Sequence, residues 1–198
     1  MQMSPPVLCL ASASPRRRAL LAQIGVAHSA RSANVDETPH AGETPRDYVA
    51  RVAASKARVI RRADAALPVL GADTIVVLDG TMFGKPGGRA QGLAMLASLS
   101  GRVHEVLSAV ALADARGVAI AVSASSVRFR TLTEKERCDY WESGEPLDKA
   151  GAYAIQGLAA AFIESLTGSY SGVMGLPLFE TAALLRAAGV PYGRLAAS

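Results

Sequence analysis

The stretch Leu67-Pro68-Val69-Leu70-Gly71-Ala72-Asp73-Thr74-Ile75-Val76-Val77-Leu78, closed by Asp79-Gly80, sets the reading of the whole chain. It is mostly apolar and turns β-branched in its second half, the pattern of a strand buried in the middle of a sheet. Asp73 interrupts that pattern. An ionised carboxylate in such surroundings is unfavourable unless it is paired or holds a cation. Two readings stay open here. Asp73 is a turn residue in a strand broken by a loop, or a catalytic or metal-binding carboxylate at the edge of a cleft.

The chain has 198 residues, half of them hydrophobic and 19% charged, which is the profile of a soluble globular protein with a proper core. No apolar run approaches the roughly 18 residues of a membrane span, and Met1 to Pro6 lacks the layout of a signal peptide. Cys9 and Cys138 form neither a disulfide framework nor a metal-ligand spacing. A cytoplasmic protein is expected, with no membrane partner. The net charge of +4 owes much to Arg16-Arg17-Arg18 and Arg61-Arg62 and suits an anionic ligand. The few aromatics do not alternate with basic residues, so nucleic acid is not an expected partner. Small phosphorylated ligands fit better.

Taken in order, Val7 to Ala11 reads as a short strand running into Ser12-Ala13-Ser14-Pro15-Arg16. Ser14 is placed as an N-cap, Pro15 as the first helical residue and Gly25 as the C-terminal stop. Hydroxyls and arginines at a helix start suit a phosphate site, the alternative being a well-capped amphipathic helix with a solvated basic face. His28 to Ala33 makes a weak strand, and Asn34 to Gly42 an exposed loop carrying the acidic pair Asp36-Glu37. Thr44-Pro45 opens a second helix whose apolar stripe includes Lys56, a lysine that either snorkels or points into a cleft. Asp79-Gly80 signals a hairpin returning to Gly84-Lys85-Pro86, followed by a helix over about Arg89 to Leu99. Strands Val103 to Ala113 and Val118 to Arg130 form a central hairpin, and Thr133 to Glu136 is a capping box. Residues 144–157 read as a glycine-punctuated binding loop, Ala159 to Leu166 as a strand, and Thr167 to Gly172 as a flexible polar loop. Gly175-Leu176-Pro177 begins the last helix. The expected fold is one α/β unit over residues 1–198, with a mixed central sheet, flanking helices and two lobes around a substrate cleft. The boundary between the lobes falls near residues 83–88.

Arg16, Glu37, Lys56, Asp73, Lys85, Asp148 and Lys149 suit phosphoryl chemistry on a metal-bound substrate. Carboxylates hold a hard divalent cation through oxygen, while lysine and arginine neutralise phosphate oxygens. No Gly-rich loop ending in Lys-Ser/Thr is present, which argues against kinase or GTPase machinery. His28, His40 and His104 lack zinc-ligand spacing and read as structural.

Nine motifs then carry a family resemblance: Ser12-Ala13-Ser14-Pro15-Arg16-Arg17, Val35-Asp36-Glu37, Ser55-Lys56-Ala57, Gly71-Ala72-Asp73-Thr74, Gly84-Lys85-Pro86, Ser100-Gly101-Arg102-Val103-His104, Asp148 to Tyr153, Ile155-Gln156-Gly157 and Gly175-Leu176-Pro177. In this order, over about residues 7 to 188, the chain resembles the Maf-like nucleoside triphosphate pyrophosphatases. Val103 departs from the family's usual threonine. The Asp148-Lys149 loop with Gln156 resembles the dTTP/UTP branch rather than the 7-methyl-GTP branch, which usually carries glutamate where Gln156 stands. The resemblance implies a Maf/ITPase-like fold, a homodimer, and cleavage between the α and β phosphates with a divalent cation (Mg²⁺, Mn²⁺ or Co²⁺). It implies Asp73 as proton acceptor and metal ligand with Glu37, and Arg16, Thr74 and Gln156 as setting substrate choice. It implies that Lys56 and Lys85 line the cleft, and the helix start makes Ser12 and Ser14 expected substrate-binding residues. A 7-methyl-GTP-type pyrophosphatase and a nucleotide-binding regulator of septation are the rival readings.

Overall fold

The computed structural model describes residues 5–64 and 66–193. The quoted stretch forms β3 (Val69–Leu78), an unbroken strand with Asp73 in the ladder. Around it, among the described residues, runs a seven-stranded mixed sheet. β1 (Leu8–Leu10) lies parallel to β3 and to β2 (His28–Ala30). On the other side β5 (Val103–Asp114), β6 (Gly117–Phe129) and β7 (Ile163–Thr167) follow, each antiparallel to its neighbour. β4 (Thr81–Phe83) folds back on the end of β3 through Asp79 and Gly80, whose φ angles of 48° and 77° are those of a tight primed turn.

The edge of β3 opposite β5 is where the fold opens. β1 pairs with it only at Val69 and Leu70, and β4 only from Val76 to Leu78. Gly71 to Ile75 have no strand on that side among the described residues. A gap is thereby left in the sheet, with Asp73 and Thr74 at its back.

Alternation along β3 sorts its side chains. Val69, Ile75 and Val77 pack under α2 (Pro45–Ala63), together with Val49, Val52, Ala53, Ala57 and Ile60 of that helix. Thr44 caps α2 by accepting from the Asp47 N–H at 3.2 Å, and Pro45 supplies the first turn. The opposite face carries two separate cores. Leu70 and Ala72 join Leu20 and Leu21 of α1 (Pro15–Gln23) and Leu185 of α6 (Leu178–Ala187). Val76 and Leu78 join Leu96 and Leu99 of α3 (Arg89–Leu99), Tyr140 of α4 (Glu134–Glu142), Phe129 and Tyr153. Thr74 and Ser108, paired across β3 and β5, stand between the two cores and are joined by a 2.8 Å hydrogen bond.

Two local expectations change. Residues 159–162 belong to a 3₁₀ turn, Leu158–Phe162, and only Ile163–Thr167 is strand. The apolar run there carries no polar alternation to separate tight helix from strand. Residues 170–172 lie in a short helix, α5 (Tyr170–Met174), rather than a flexible loop. Ser169 caps it by accepting from the Gly172 N–H at 3.0 Å, and Ser108 Oγ donates to the Gly172 carbonyl at 2.6 Å.

Candidate active site

The gap in the sheet opens into a cavity of about 520 Å³. Its walls carry Ser12, Ser14, Arg16, Glu37, Lys56, Asp73, Thr74, Lys85 and Gln156, together with Arg17, Tyr48, Asp148, Lys149 and Tyr153. Residues 144 positions apart in the chain, Ser12 and Gln156, thus face one space because the end of β1, the middle of β3 and the segment after α4 come together there.

Asp73 and Lys56 form the floor. Lys56 sits on the buried stripe of α2, so its stem runs through the core and its ammonium emerges at the gap. Lys56 Nζ lies 2.7 Å from Asp73 Oδ1 and 2.7 Å from Glu37 Oε1. Helix and strand come this close because residue 71 is glycine: a Cβ there would meet the Ala53 carbonyl oxygen at 2.2 Å. Burial pushes the Asp73 carboxyl above its ordinary value, and the Lys56 and Arg17 charges oppose that shift without cancelling it. The result is a carboxylate that is a stronger base than an exposed aspartate.

Glu37 reaches the site from the loop between β2 and α2. Arg51 of α2 holds that loop, donating to both oxygens of Glu43 at 2.6 and 2.8 Å and to the Thr38 carbonyl at 3.0 Å. The guanidinium also lies over the Tyr48 ring, 5.5 Å from its centroid.

The wall at the start of α1 is built for anions. Ser12 Oγ accepts from Ser14 N (3.1 Å) and from Arg17 Nη1 (3.4 Å), and Ser14 Oγ accepts from Arg17 N (3.5 Å). No acceptor takes either hydroxyl proton among the described residues, so both are available to a ligand. Arg17 Nε donates to the Gly175 carbonyl at 2.8 Å, which fixes the guanidinium at the cavity. Burial pushes Arg17 below its ordinary value, partly offset by Asp73. Sequence reasoning placed Arg16 here and did not separate Arg17 from its neighbours. The available signal was helical spacing: Arg17 stands three and four residues before the buried Leu20 and Leu21.

Across the cavity, Arg16 Nη1 lies 3.6 Å from Asp148 Oδ2, and Lys149 pairs with the other oxygen of Asp148. Burial opposes ionisation of Asp148, but Lys149 and Arg16 outweigh it and hold the carboxyl below the usual range. Gly151 N donates to the Gly84 carbonyl at 3.1 Å, tying this segment to the loop that carries Lys85. Gln156 is exposed at the cavity, and its amide has no protein partner among the described residues. Tyr153 Oη bonds the buried His104 at 2.8 Å. His104 is therefore a support beneath the cavity wall, with burial lowering its pKa to about 4.

Glu37 and Asp73 are the two carboxylates that converge, and both are hard oxygen donors held against one cationic group. No cluster of three histidines, cysteines or acids occurs among the described residues. This donor set fits a divalent cation that takes one or two protein carboxylates and completes its shell with substrate oxygens and water, the habit of Mg²⁺.

A family model described as Maf-like protein matches residues 7–188. A Bordetella pertussis protein named dTTP/UTP pyrophosphatase is 52% identical over 198 residues, covering 94% of each chain. Alkalilimnicola ehrlichii has a protein of the same name, 53% identical over 195 residues and 96% of each chain. Another, from Burkholderia pseudomallei, is 51% identical over 202 residues, covering 96% of this chain and 97% of that one. Among solved structures, the Staphylococcus aureus Ham1 protein overlays 62% of this chain and 71% of its own with a TM-score of 0.42 and 13% identity. No helix among the described residues is long and apolar enough to cross a membrane. With one family model spanning almost the whole described chain and relatives at half identity along nearly all of their lengths, the chain belongs to the Maf-like protein family.

Proposed function

We propose that this protein is a nucleoside triphosphate pyrophosphatase that hydrolyses dTTP and UTP, and modified nucleotides sharing their base edge, to the monophosphate and pyrophosphate. The observation that carries the reading is the buried Asp73–Lys56 pair at the open edge of β3, met from the solvent side by Glu37, in a cavity walled by unspent hydroxyls and cations. The names of the relatives support the substrate.

Water reaches Asp73 from the cavity. The carboxylate accepts its proton as the oxygen bonds to the α-phosphorus and the bond to the bridging oxygen of the β-phosphate breaks. Lys56 holds Asp73 in place and favours its ionised form against the cost of burial. Negative charge moves onto the leaving pyrophosphate, where Arg16, Arg17 and Lys85 offset it and the Ser12 and Ser14 hydroxyls donate to it. Asp73 and Glu37 would hold a divalent cation (Mg²⁺, Mn²⁺ or Co²⁺), which would supply further charge neutralisation and a more acidic water. Gln156 offers a donor and an acceptor side by side, which matches the O4 and N3–H edge of thymine and uracil. Thr74 donates to Ser108, whose own proton goes to the Gly172 carbonyl, so toward the cavity the Thr74 oxygen accepts. Cytosine presents an amine in place of O4 and leaves polar groups unpaired.

The same reading takes the chain as one Maf-like domain that works as a cytoplasmic homodimer in keeping nucleotide pools clean. It is tested by offering dTTP, UTP, CTP, GTP, 7-methyl-GTP and ATP with Mg²⁺ or Mn²⁺ in ¹⁸O-labelled water. Turnover highest with dTTP and UTP, with the label in the monophosphate, supports it. Preference for 7-methyl-GTP, or label in pyrophosphate, contradicts it.

A further inference from the structure

Gln156 rides on a short strap, residues 154–159, and two side chains outside the cavity lining hold both of its ends. Tyr140 Oη accepts from Ala154 N at 3.1 Å and donates to Glu145 Oε1 at 2.7 Å. The Glu145 carboxylate then accepts from Leu158 N at 2.9 Å and from Ala159 N at 3.4 Å, on the far side of Gln156. Neither Tyr140 nor Glu145 lines the cavity. Burial, followed by the bond to Glu145, pushes the Tyr140 hydroxyl pKa up, so it stays a donor. Gly157 completes the clamp by leaving space: a Cβ there would lie 2.1 Å from Glu145 Oε2. Its φ of −114° is open to any residue, so close approach and not backbone conformation is what calls for glycine. Gln156 therefore has free functional groups on a backbone pinned within two residues on one side and two on the other.

We propose that Tyr140 and Glu145 are positioning residues for base selection, clamping the strap so that the Gln156 backbone is held in one position beside the pyrimidine edge. The inference rests on Gln156 reading the base. A held strap keeps the Gln156 backbone in one place, so its amide meets O4 and N3–H of uracil without first ordering the segment, and a loosened strap costs UTP that advantage.

The test compares kcat/KM for UTP and CTP in the wild type, Tyr140→Phe, Gly157→Ala, Gln156→Ala and the Tyr140→Phe/Gln156→Ala double variant. Tyr140→Phe unpins the strap by deletion, and Gly157→Ala by displacing an unaltered carboxylate, so the result does not hang on one variant's folding. Each single clamp variant is expected to lower the UTP:CTP ratio by about tenfold, the equivalent of one hydrogen bond. That loss falls on KM for UTP, with kcat within about twofold of wild type. In the Gln156→Ala background Tyr140→Phe is expected to add no further loss. An unchanged ratio in both clamp variants, equal falls in kcat on both nucleotides, or a full additional loss in the double variant overturns the proposal. If Gln156→Ala alone leaves the ratio unchanged, the reading of Gln156 fails and the clamp proposal falls with it.

Discussion

Gly71→Ala is the perturbation that most directly joins the fold to the chemistry. The added methyl group would sit 2.2 Å from the Ala53 carbonyl oxygen, 2.7 Å from the Ala57 amide nitrogen and 3.1 Å from the Ala57 Cβ. Two of these are backbone atoms in the middle of α2, so no side-chain rotation relieves the clash. Ordinary contact begins near 3.4 Å, which asks the helix to withdraw from β3 by roughly 1.2 Å. Overpacking of this kind destabilises by about 1–3 kcal/mol. Lys56 stands on the helix that must move, and a withdrawal of that size stretches its 2.7 Å bond to Asp73 beyond hydrogen-bonding range. A misplacement of about 1 Å at reacting groups lowers turnover roughly 100-fold. Urea unfolding at pH 7.5 gives the stability change, and UTP hydrolysis under saturating Mg²⁺ gives the activity. Expected is a midpoint shift equivalent to about 1–3 kcal/mol at unchanged m-value, together with a kcat loss of one to two decades. A variant of wild-type stability and wild-type kcat would refute the idea that close helix–strand contact sets the Lys56–Asp73 geometry.

Two further predictions concern groups that support the site. His104 has its pKa depressed to about 4 from 6.5, so its neutral form is favoured by folding. Its contribution is fully present above about pH 6.5 and is lost as pH falls toward 4, amounting to about 3 kcal/mol. Denaturant midpoints between pH 4 and 7.5 should show that slope, and His104→Gln, which keeps a partner for Tyr153, should flatten it. Arg51→Ala frees the loop carrying Glu37, and the Mg²⁺ concentration for half-maximal activity should rise roughly tenfold with kcat nearly restored at high Mg²⁺. An unchanged Mg²⁺ requirement would remove Arg51 from the site's support.

The elements built on local signals were legible in the chain. Thr44-Pro45 and Ser14-Pro15 start helices where caps predict them, Thr133 and Glu136 form their capping box, and Asp79-Gly80 makes the hairpin. Lys56 on the apolar stripe was ambiguous, because helical spacing gives a side chain's face and not what lies beyond its tip. Only the neighbouring strand, with an acid at the facing position, resolves it. The gap in the sheet was not legible at all. It arises because β1 stops pairing with β3 at Leu70 and β4 takes up pairing only at Val76, a matter of long-range register that no local pattern encodes. The anchoring of Gln156 by Tyr140 and Glu145 escaped for the same reason: the three residues lie on separate segments, and glycine at 157 looked like loop punctuation.

The central claim is that the carboxylate at the open edge of β3 drives release of pyrophosphate from dTTP and UTP. Its most direct measurement is pyrophosphate and monophosphate release from UTP by wild type and Asp73→Asn, side by side, with folding checked by circular dichroism. Equimolar products from the wild type, and a kcat reduced by at least about 100-fold in a folded variant, is the predicted result. Undiminished turnover in Asp73→Asn, or wild-type protein that releases no pyrophosphate from any pyrimidine triphosphate, would contradict the account.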